Sequence, residues 1–170
     1  MKVLWAPWRM TLISAPKQKG CIFCQLPRGE SARDGLVLVV TRSSVVMLNK
    51  FPYNSGHLMV APRRHLADLE RLTAAERREI GDTLHRAAAI VRREFRPHGM
   101  NIGMNLGTAA GAGIADHLHW HVVPRWNGDT NFMPILGDVK VIVQSLETLY
   151  DLLVERLGKK NPESRIQNPE

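Results

Sequence analysis

The run His117-Leu-His119-Trp-His121-Val-Val123 limits what this chain can fold into more than any other stretch of it. In a strand successive side chains point to opposite faces. His117, His119 and His121 therefore share one face, and Leu118, Trp120 and Val122 share the other. One half of such a strand can enter a core while the other half presents imidazoles, whose ring nitrogens need partners. Packing explains one such histidine but not a row of them. The spacing predicts a strand over His117–Val123, closed by Pro124. Immediately upstream, Gly107-Thr-Ala-Ala-Gly-Ala-Gly113 is a loop of small residues whose backbone N–H groups can approach an anion closely. Two chemistries suit the row. Alternating histidines can hold a metal with an open position for water, or a neutral imidazole can act as a nucleophile while its neighbours fix its tautomer. The loop favours the second.

The rest of the chain supplies a frame for that strand. Leu36–Thr41 and Ser44–Leu48 are β-branched runs split by Arg42-Ser43, the spacing of a tight hairpin. After the turn Pro52-Tyr-Asn-Ser-Gly56, His57–Ala61 reads as the next strand, stopped by Pro62. Thr73-Ala-Ala-Glu76 is a capping box, and behind it Ile80, Leu84, Ala88, Val91 and Phe95 form one helical stripe that ends at Pro97-His-Gly99. Gly99–Leu106 fits a strand leading into the glycine loop. Gln144–Gly158, with Leu146, Leu149, Leu153 and Leu157, fits a C-terminal helix. Strands at hairpin spacing around one long helix predict an antiparallel α+β domain. The division expected is an arm over 1–20, a catalytic domain over 21–135, an extension with a helix over 136–158, and a polar tail over 159–170.

The 170 residues suffice for one core without covalent staples, and no apolar run reaches the about 18 residues of a membrane span. The N-terminus lacks the apolar stretch of a secretory signal, so the expected location is cytoplasmic. A net charge of +7 hints at anionic partners, although much of it lies on arginines of the long helix. In a cytoplasmic chain Cys21 and Cys24 read as metal-binding or redox-active, and the strand and helix of a redox motif are missing around them. Zinc wants four ligands, so two more would have to be histidines.

HLHWHVV resembles the signature of the histidine triad (HIT) family of nucleotide hydrolases and transferases. So do Cys21-Ile-Phe-Cys24, Gly56-His57-Leu-Met-Val-Ala-Pro62-Arg-Arg-His65, Asn105-Leu-Gly107 and Val123-Pro-Arg125, in the family's order over residues 21–126. Trp5-Ala-Pro-Trp8 and the run from Val123 to Asn131 are similar to a bacterial branch that includes diadenosine tetraphosphate phosphorylases. The resemblance implies a HIT-like antiparallel half-barrel with one long helix and a C-terminal helix, paired into a homodimer. It implies that His119 is the nucleophile toward the α-phosphorus of a dinucleoside polyphosphate, forming a covalent nucleotidyl-histidine. His121 and His57 would bind phosphate oxygens or orient the nucleophile, Asn105 would lie near the phosphates with the loop residues Gly107, Gly111, Ala112 and Gly113, and Asn49 would meet the ribose. Zinc-bearing members imply a structural zinc on Cys21, Cys24, His65 and His117. Neither a membrane nor a specific nucleic acid is an implied partner.

One stretch departs from the family. Gly111-Ala-Gly-Ile-Ala-Asp116 has no hydroxyl or amide side chain where many members place a group that can protonate a leaving group. A polyphosphate leaves without that help and an alkyl amine does not, so dinucleoside polyphosphate cleavage is favoured over phosphoramidate hydrolysis, with aminoacyl-adenylate hydrolysis as a further alternative. A zinc hydrolase with the histidine row as ligands, and a nucleotide-binding module without turnover, are the remaining readings. Trp126 and Phe132 are candidates for a base pocket or for core packing, and neither Asp129 nor Asp138 has a partner that would make it a catalytic carboxylate.

Overall fold

A computed structural model of the chain describes residues 20–25, 31–129 and 144–158. The expected Trp5/Trp8 arm, the polar tail, Phe132 and Asp138 lie outside the described residues. Among those described, the elements are a one-turn helix α1 (Ser31–Asp34), strands β1 (Val37–Val40), β2 (Ser44–Leu48) and β3 (Leu58–Pro62), the long helix α2 (Ala74–Phe95), strands β4 (Gly99–Met104) and β5 (Trp120–Arg125), and helix α3 (Leu146–Gly158). The strands form one antiparallel open sheet in the order β1-β2-β3-β5-β4, so β5 lies between β3 and the edge strand β4. This is the expected α+β architecture.

Alternation along the strands builds two cores. Val46, Leu48, Leu58, Val60 and Val122 face α2 and α3, where they meet Ile80, Ala87, Ile90, Val91, Leu149, Leu153 and Leu157. On the opposite face Val37, Val45, Met47, Met59 and Ala61 surround Phe23 of the Cys-x-x-Cys loop. Both faces of β2 and β3 are thus buried, which is why these strands read as continuous apolar runs.

Helix α2 begins as the capping box requires. The Thr73 hydroxyl accepts from Glu76 N–H, and the Glu76 carboxylate accepts from Thr73 N–H at 2.8 Å. Its buried stripe is Ile80, Thr83, Ala87, Ile90 and Val91, rotated slightly from the predicted one because Ser44 on β2 offers a buried hydroxyl 3.1 Å from that of Thr83. The helix ends at Arg96, whose φ of 45° turns the chain out before Pro97.

Two strand boundaries differ from those predicted. The histidine strand begins only at Trp120, since its ladder with β3 spans Trp120–Val122. It runs through Pro124 to Arg125, paired with β4. Pro124 is tolerated because its carbonyl, and hence its ring nitrogen, faces the side that β3 does not reach, so no ladder donor is lost. His57 likewise precedes β3 rather than opening it.

Candidate active site

Although His117, Leu118 and His119 lie ahead of the ladder, the alternation holds through them. Leu118 N–H donates to the Leu66 carbonyl at 2.8 Å, and its side chain joins Val122 in the main core. His117 and His119 are buried and His121 is half-buried on the other face, with the His119 and His121 ring centroids 5.0 Å apart. The Met59–His121 register places that face over the Phe23 cluster. Phe23, 1% exposed, packs its ring 5.0 Å from His117 and 5.2 Å from His119.

Backbone groups fix the tautomers. His119 Nδ1 lies 2.9 Å from the His117 carbonyl, which can only accept, so Nδ1 carries the proton and Nε2 keeps its lone pair. Tyr53 N–H donates to His57 Nδ1 at 3.0 Å, so a neutral His57 carries its proton on Nε2. That Nε2–H donates to His121 Nδ1 at 2.9 Å, which leaves the His121 proton on Nε2. The result is one imidazole with a free lone pair beside another with a free N–H, the pairing needed to attack an electrophile and to stabilise an oxyanion on it. Burial pushes the His119 pKa below its ordinary value against the raising effect of the His117 carbonyl, and it lowers His121 to about 4, with help from the neighbouring His119. Both rings are therefore neutral at physiological pH.

His57 is wholly buried, between a half-buried Asn49 and the ring of Tyr53, stacked at 4.8 Å. Asn49 Oδ1 accepts from Phe51 N–H at 2.9 Å, and its Nδ2 lies 3.4 Å from His57 Nδ1. Gly56 has φ of +78°, and a Cβ there would lie 2.8 Å from the Phe95 ring, so only glycine lets the chain enter His57 in this way. In the upstream loop Gly107 and Gly111 also take positive φ, around a 3-10 turn at Thr108–Ala110. The amides of Gly111 and Ala112 donate to the Thr108 and Gly107 carbonyls and so close the loop; an anion cradled here would meet other amides, such as that of the exposed Gly113. Asn105 donates to the Gly111 carbonyl at 3.4 Å.

His117 is turned to a different task. Its Nε2 donates to the Pro62 carbonyl at 2.8 Å, and its Nδ1 lies 3.2 Å from Cys21 Sγ, 3.5 Å from Cys24 Sγ and 3.2 Å from His65 Nδ1. All four donor atoms lie within 4.8 Å of one another. Tetrahedral zinc bonded to two nitrogens and two sulfurs spaces its ligand atoms about 3.3–3.8 Å apart, so the donor set and its crowding fit that ion. Among the described residues this is the one grouping of three or more Cys, His, Asp or Glu donors close enough to share a metal. The row His117–His119–His121 is not such a grouping, since its member His117 belongs to the cysteine set.

Two residues of the site were not legible as such in the sequence. Phe23 was hidden inside the Cys-x-x-Cys motif, and its apolar character was the signal available. Tyr53 sat in a segment read only as a turn. The helix residue His85 and His98 beyond it are exposed.

Comparison with protein families matches the HIT domain over residues 30–128. The chain is 43% identical over 166 residues to the AP-4-A phosphorylase of Mycobacterium tuberculosis, covering 92% of this chain and 85% of that one. It is 29% identical over 114 residues to the asymmetrical bis(5'-nucleosyl)-tetraphosphatase of Schizosaccharomyces pombe, 67% of this chain and 58% of that protein. Among solved structures, a Zn-bound histidine triad family protein from Mycobacterium smegmatis superposes with a TM-score of 0.61 at 26% identity, covering 82% of this chain and 94% of that one.

Proposed function

The chain belongs to the HIT domain family, and from that premise we propose that it is a nucleotidyl-transferring phosphorylase or hydrolase. It cleaves a dinucleoside polyphosphate, such as diadenosine tetraphosphate, at an α-phosphorus through a covalent intermediate on His119. The observation that carries this reading is the buried His119 ring, with its proton committed to the His117 carbonyl and its Nε2 lone pair free. The names of the relatives support the substrate class.

In the first step the Nε2 lone pair attacks the α-phosphorus. The bond from phosphorus to the bridging oxygen breaks, and its electron pair leaves with the nucleoside polyphosphate. The new imidazolium keeps Nδ1–H on the His117 carbonyl. His121 Nε2–H, held toward the substrate by the His57 bond to its other nitrogen, donates to an oxygen that gains charge. In the second step an oxygen of inorganic phosphate or water attacks, the P–N bond breaks, and its electrons return to Nε2. The residues Asn49, Asn105, Gly107, Gly111, Ala112 and Gly113 form the nucleotide and phosphate side of the site in this reading.

Cys21, Cys24, His65 and His117 would hold zinc. Held by these four side chains, zinc would tie the 20–25 loop to the segment that carries His119, a role in stability and not in bond breaking. Residues 21–135 remain the proposed catalytic unit, with 136–158 as an extension whose helix α3 packs on the core. A homodimer belongs to the reading too. Among the described residues strand β4 is an edge with neither proline nor charge, and Ile102, 49% exposed, lies on its helix-side face with no described helix over it. A second copy of β4 would pair the edge and cover that face. No helix among the described residues is long and apolar enough to cross a membrane, and two free thiols in a metal-ligand set suit a reducing, cytoplasmic compartment.

The test is to incubate the protein with diadenosine tetraphosphate, with and without inorganic phosphate, beside His119→Asn. ADP plus ATP formed only with phosphate identifies a phosphorylase, and AMP plus ATP without it identifies a hydrolase. In both cases the variant is inactive. No cleavage by the wild type in either condition rejects this substrate class.

A further inference from the structure

Asp129 sits in the turn after β5, and its carboxylate is the hub of a compact network. It accepts from Arg125 Nε at 2.6 Å and Arg125 Nη2 at 2.9 Å, from Trp126 N–H at 3.1 Å and from Asn54 Nδ2 at 2.7 Å. The Arg125 guanidinium holds the Asp129 carboxyl far below the usual carboxylate range, so it is an acceptor at every working pH. Asn54, 8% exposed, also donates from Nδ2 to the Pro124 carbonyl at 3.1 Å, and its own carbonyl accepts from His57 N–H at 3.1 Å.

The network lies where the sheet leaves a gap. The β3–β5 ladder ends at the Leu58–Val122 pair, and Pro124 has no N–H with which to extend it. His57, the residue just before Leu58, and the turn that precedes it are therefore outside the ladder. Yet His57 must meet His121 of β5 at 2.9 Å, and the same turn must present Tyr53 N–H to His57 Nδ1 at 3.0 Å. Asn54 takes up the Pro124 carbonyl, Asp129 fixes the Asn54 amide, and Arg125 ties Asp129 to the strand that bears His121 four residues earlier. Arg125 is itself braced on Asn101 of β4 at 2.9 Å.

We propose that Asn54 and Asp129 are positioning residues for the reaction. Together they clamp the 50–56 turn to β5 in place of the missing ladder, and so set the His57–His121 hydrogen bond and the tautomers of both rings. Neither side chain touches the reacting atoms. The proposal rests on the nucleotidyl-transfer reading for its kinetic consequence, but its structural consequence is independent of that reading.

The experiment uses the full-length protein with Asp129→Asn, which puts an amide where four donors converge, and Asn54→Ser, which removes the bridge to Asp129 with less disturbance. Thr73→Ala, at the distant cap of α2, serves as a control for lowered stability alone. Nitrogen-15 NMR of the imidazoles reads the tautomers of His57 and His121 well below the melting temperature, and steady-state kinetics with diadenosine tetraphosphate reads the rate. Either clamp variant that folds is expected to show mixed His57 tautomers and a kcat reduced about 10- to 100-fold, the scale of a displaced catalytic group. KM is expected to move less than about threefold, because the clamp does not touch substrate. Thr73→Ala should change neither the tautomers nor kcat. A folded clamp variant with wild-type tautomers overturns the proposal, as does one with an unchanged kcat. If both clamp variants melt below the assay temperature while Thr73→Ala does not, the network is a determinant of folding and the positioning role is rejected. If the wild type itself turns over no dinucleoside polyphosphate, the proposed function fails while the tautomer comparison still decides the clamp.

Discussion

Replacing Phe23 tests whether the loop between the two cysteines is a wall of the site or only a carrier of thiols. The ring is 1% exposed, seated among Val37, Val45, Met47, Met59 and Ala61 on one side and the imidazoles of His117 and His119 on the other. Removing a buried phenyl ring costs about 3–5 kcal/mol when its surroundings cannot collapse, and strands β2 and β3 underneath are held by ladders on both sides. Leucine keeps much of the volume, so Phe23→Leu should cost less than about 1.5 kcal/mol. The larger loss would be a sizeable part of the roughly 5–15 kcal/mol that stabilises a domain of this kind. Urea unfolding of wild type, Phe23→Leu and Phe23→Ala measures both values from the shift in midpoint. Because the ring also flanks the proposed nucleophile His119, kcat should fall in the same order, by about tenfold or more in Phe23→Ala. The reasoning is refuted if Phe23→Ala lies within about 1 kcal/mol of wild type, the size of an ordinary surface change, or if leucine is no better than alanine.

Three further outcomes follow from the geometry. Because burial holds His121 near 4, it stays neutral as the pH falls, and the acid limb of kcat/KM should lie well below the ordinary imidazole value of 6.5; an acid limb at 6.5 in folded protein would contradict this. The Glu76 carboxyl is held at about 2 by Arg64 and by the Thr73 backbone, so its contribution is present above the ordinary 4.5 and lost as pH falls toward 2. Glu76→Ala should therefore be about 1 kcal/mol less stable than wild type in urea at pH 7, with the difference shrinking below pH 4.5. If the proposed dimer forms through β4, Ile102→Lys, which places a charge on its edge, should give a monomer in light scattering and the wild type a dimer; a dimer in both would place the contact elsewhere.

Much of the frame was legible because period-two and helical patterns are local. The hairpin at Arg42-Ser43, the capping box at Thr73 and the separation of Leu118, Trp120 and Val122 from the histidines all follow from side-chain alternation and backbone donors. The four grouped thiol and imidazole donors came through the family resemblance, and the structure brings them within ligand distance of one another. The strand boundaries were less legible. Where a ladder begins and ends depends on the partner strand, and Pro124 could sit inside β5 only because β3 stops short of it. The alternation also could not show that the three triad histidines divide their work, since His117 turns away through a bond to the Pro62 carbonyl that lies 55 residues earlier in the chain. The Arg125–Asp129 pair is local in the chain, but the link from Asp129 to Asn54, 75 residues away, could not be read from the sequence.

The central claim is a covalent bond between the α-phosphorus and His119. The direct measurement is to mix the protein with diadenosine tetraphosphate labelled at the α-phosphate, without inorganic phosphate, quench in base, and map the label by peptide mass spectrometry. One adenylyl group is expected on the peptide that contains His119, stable in base and released by acid, discharged by inorganic phosphate or water, and absent from His119→Asn. Label on a different residue, or turnover by His119→Asn at the wild-type rate, would contradict it.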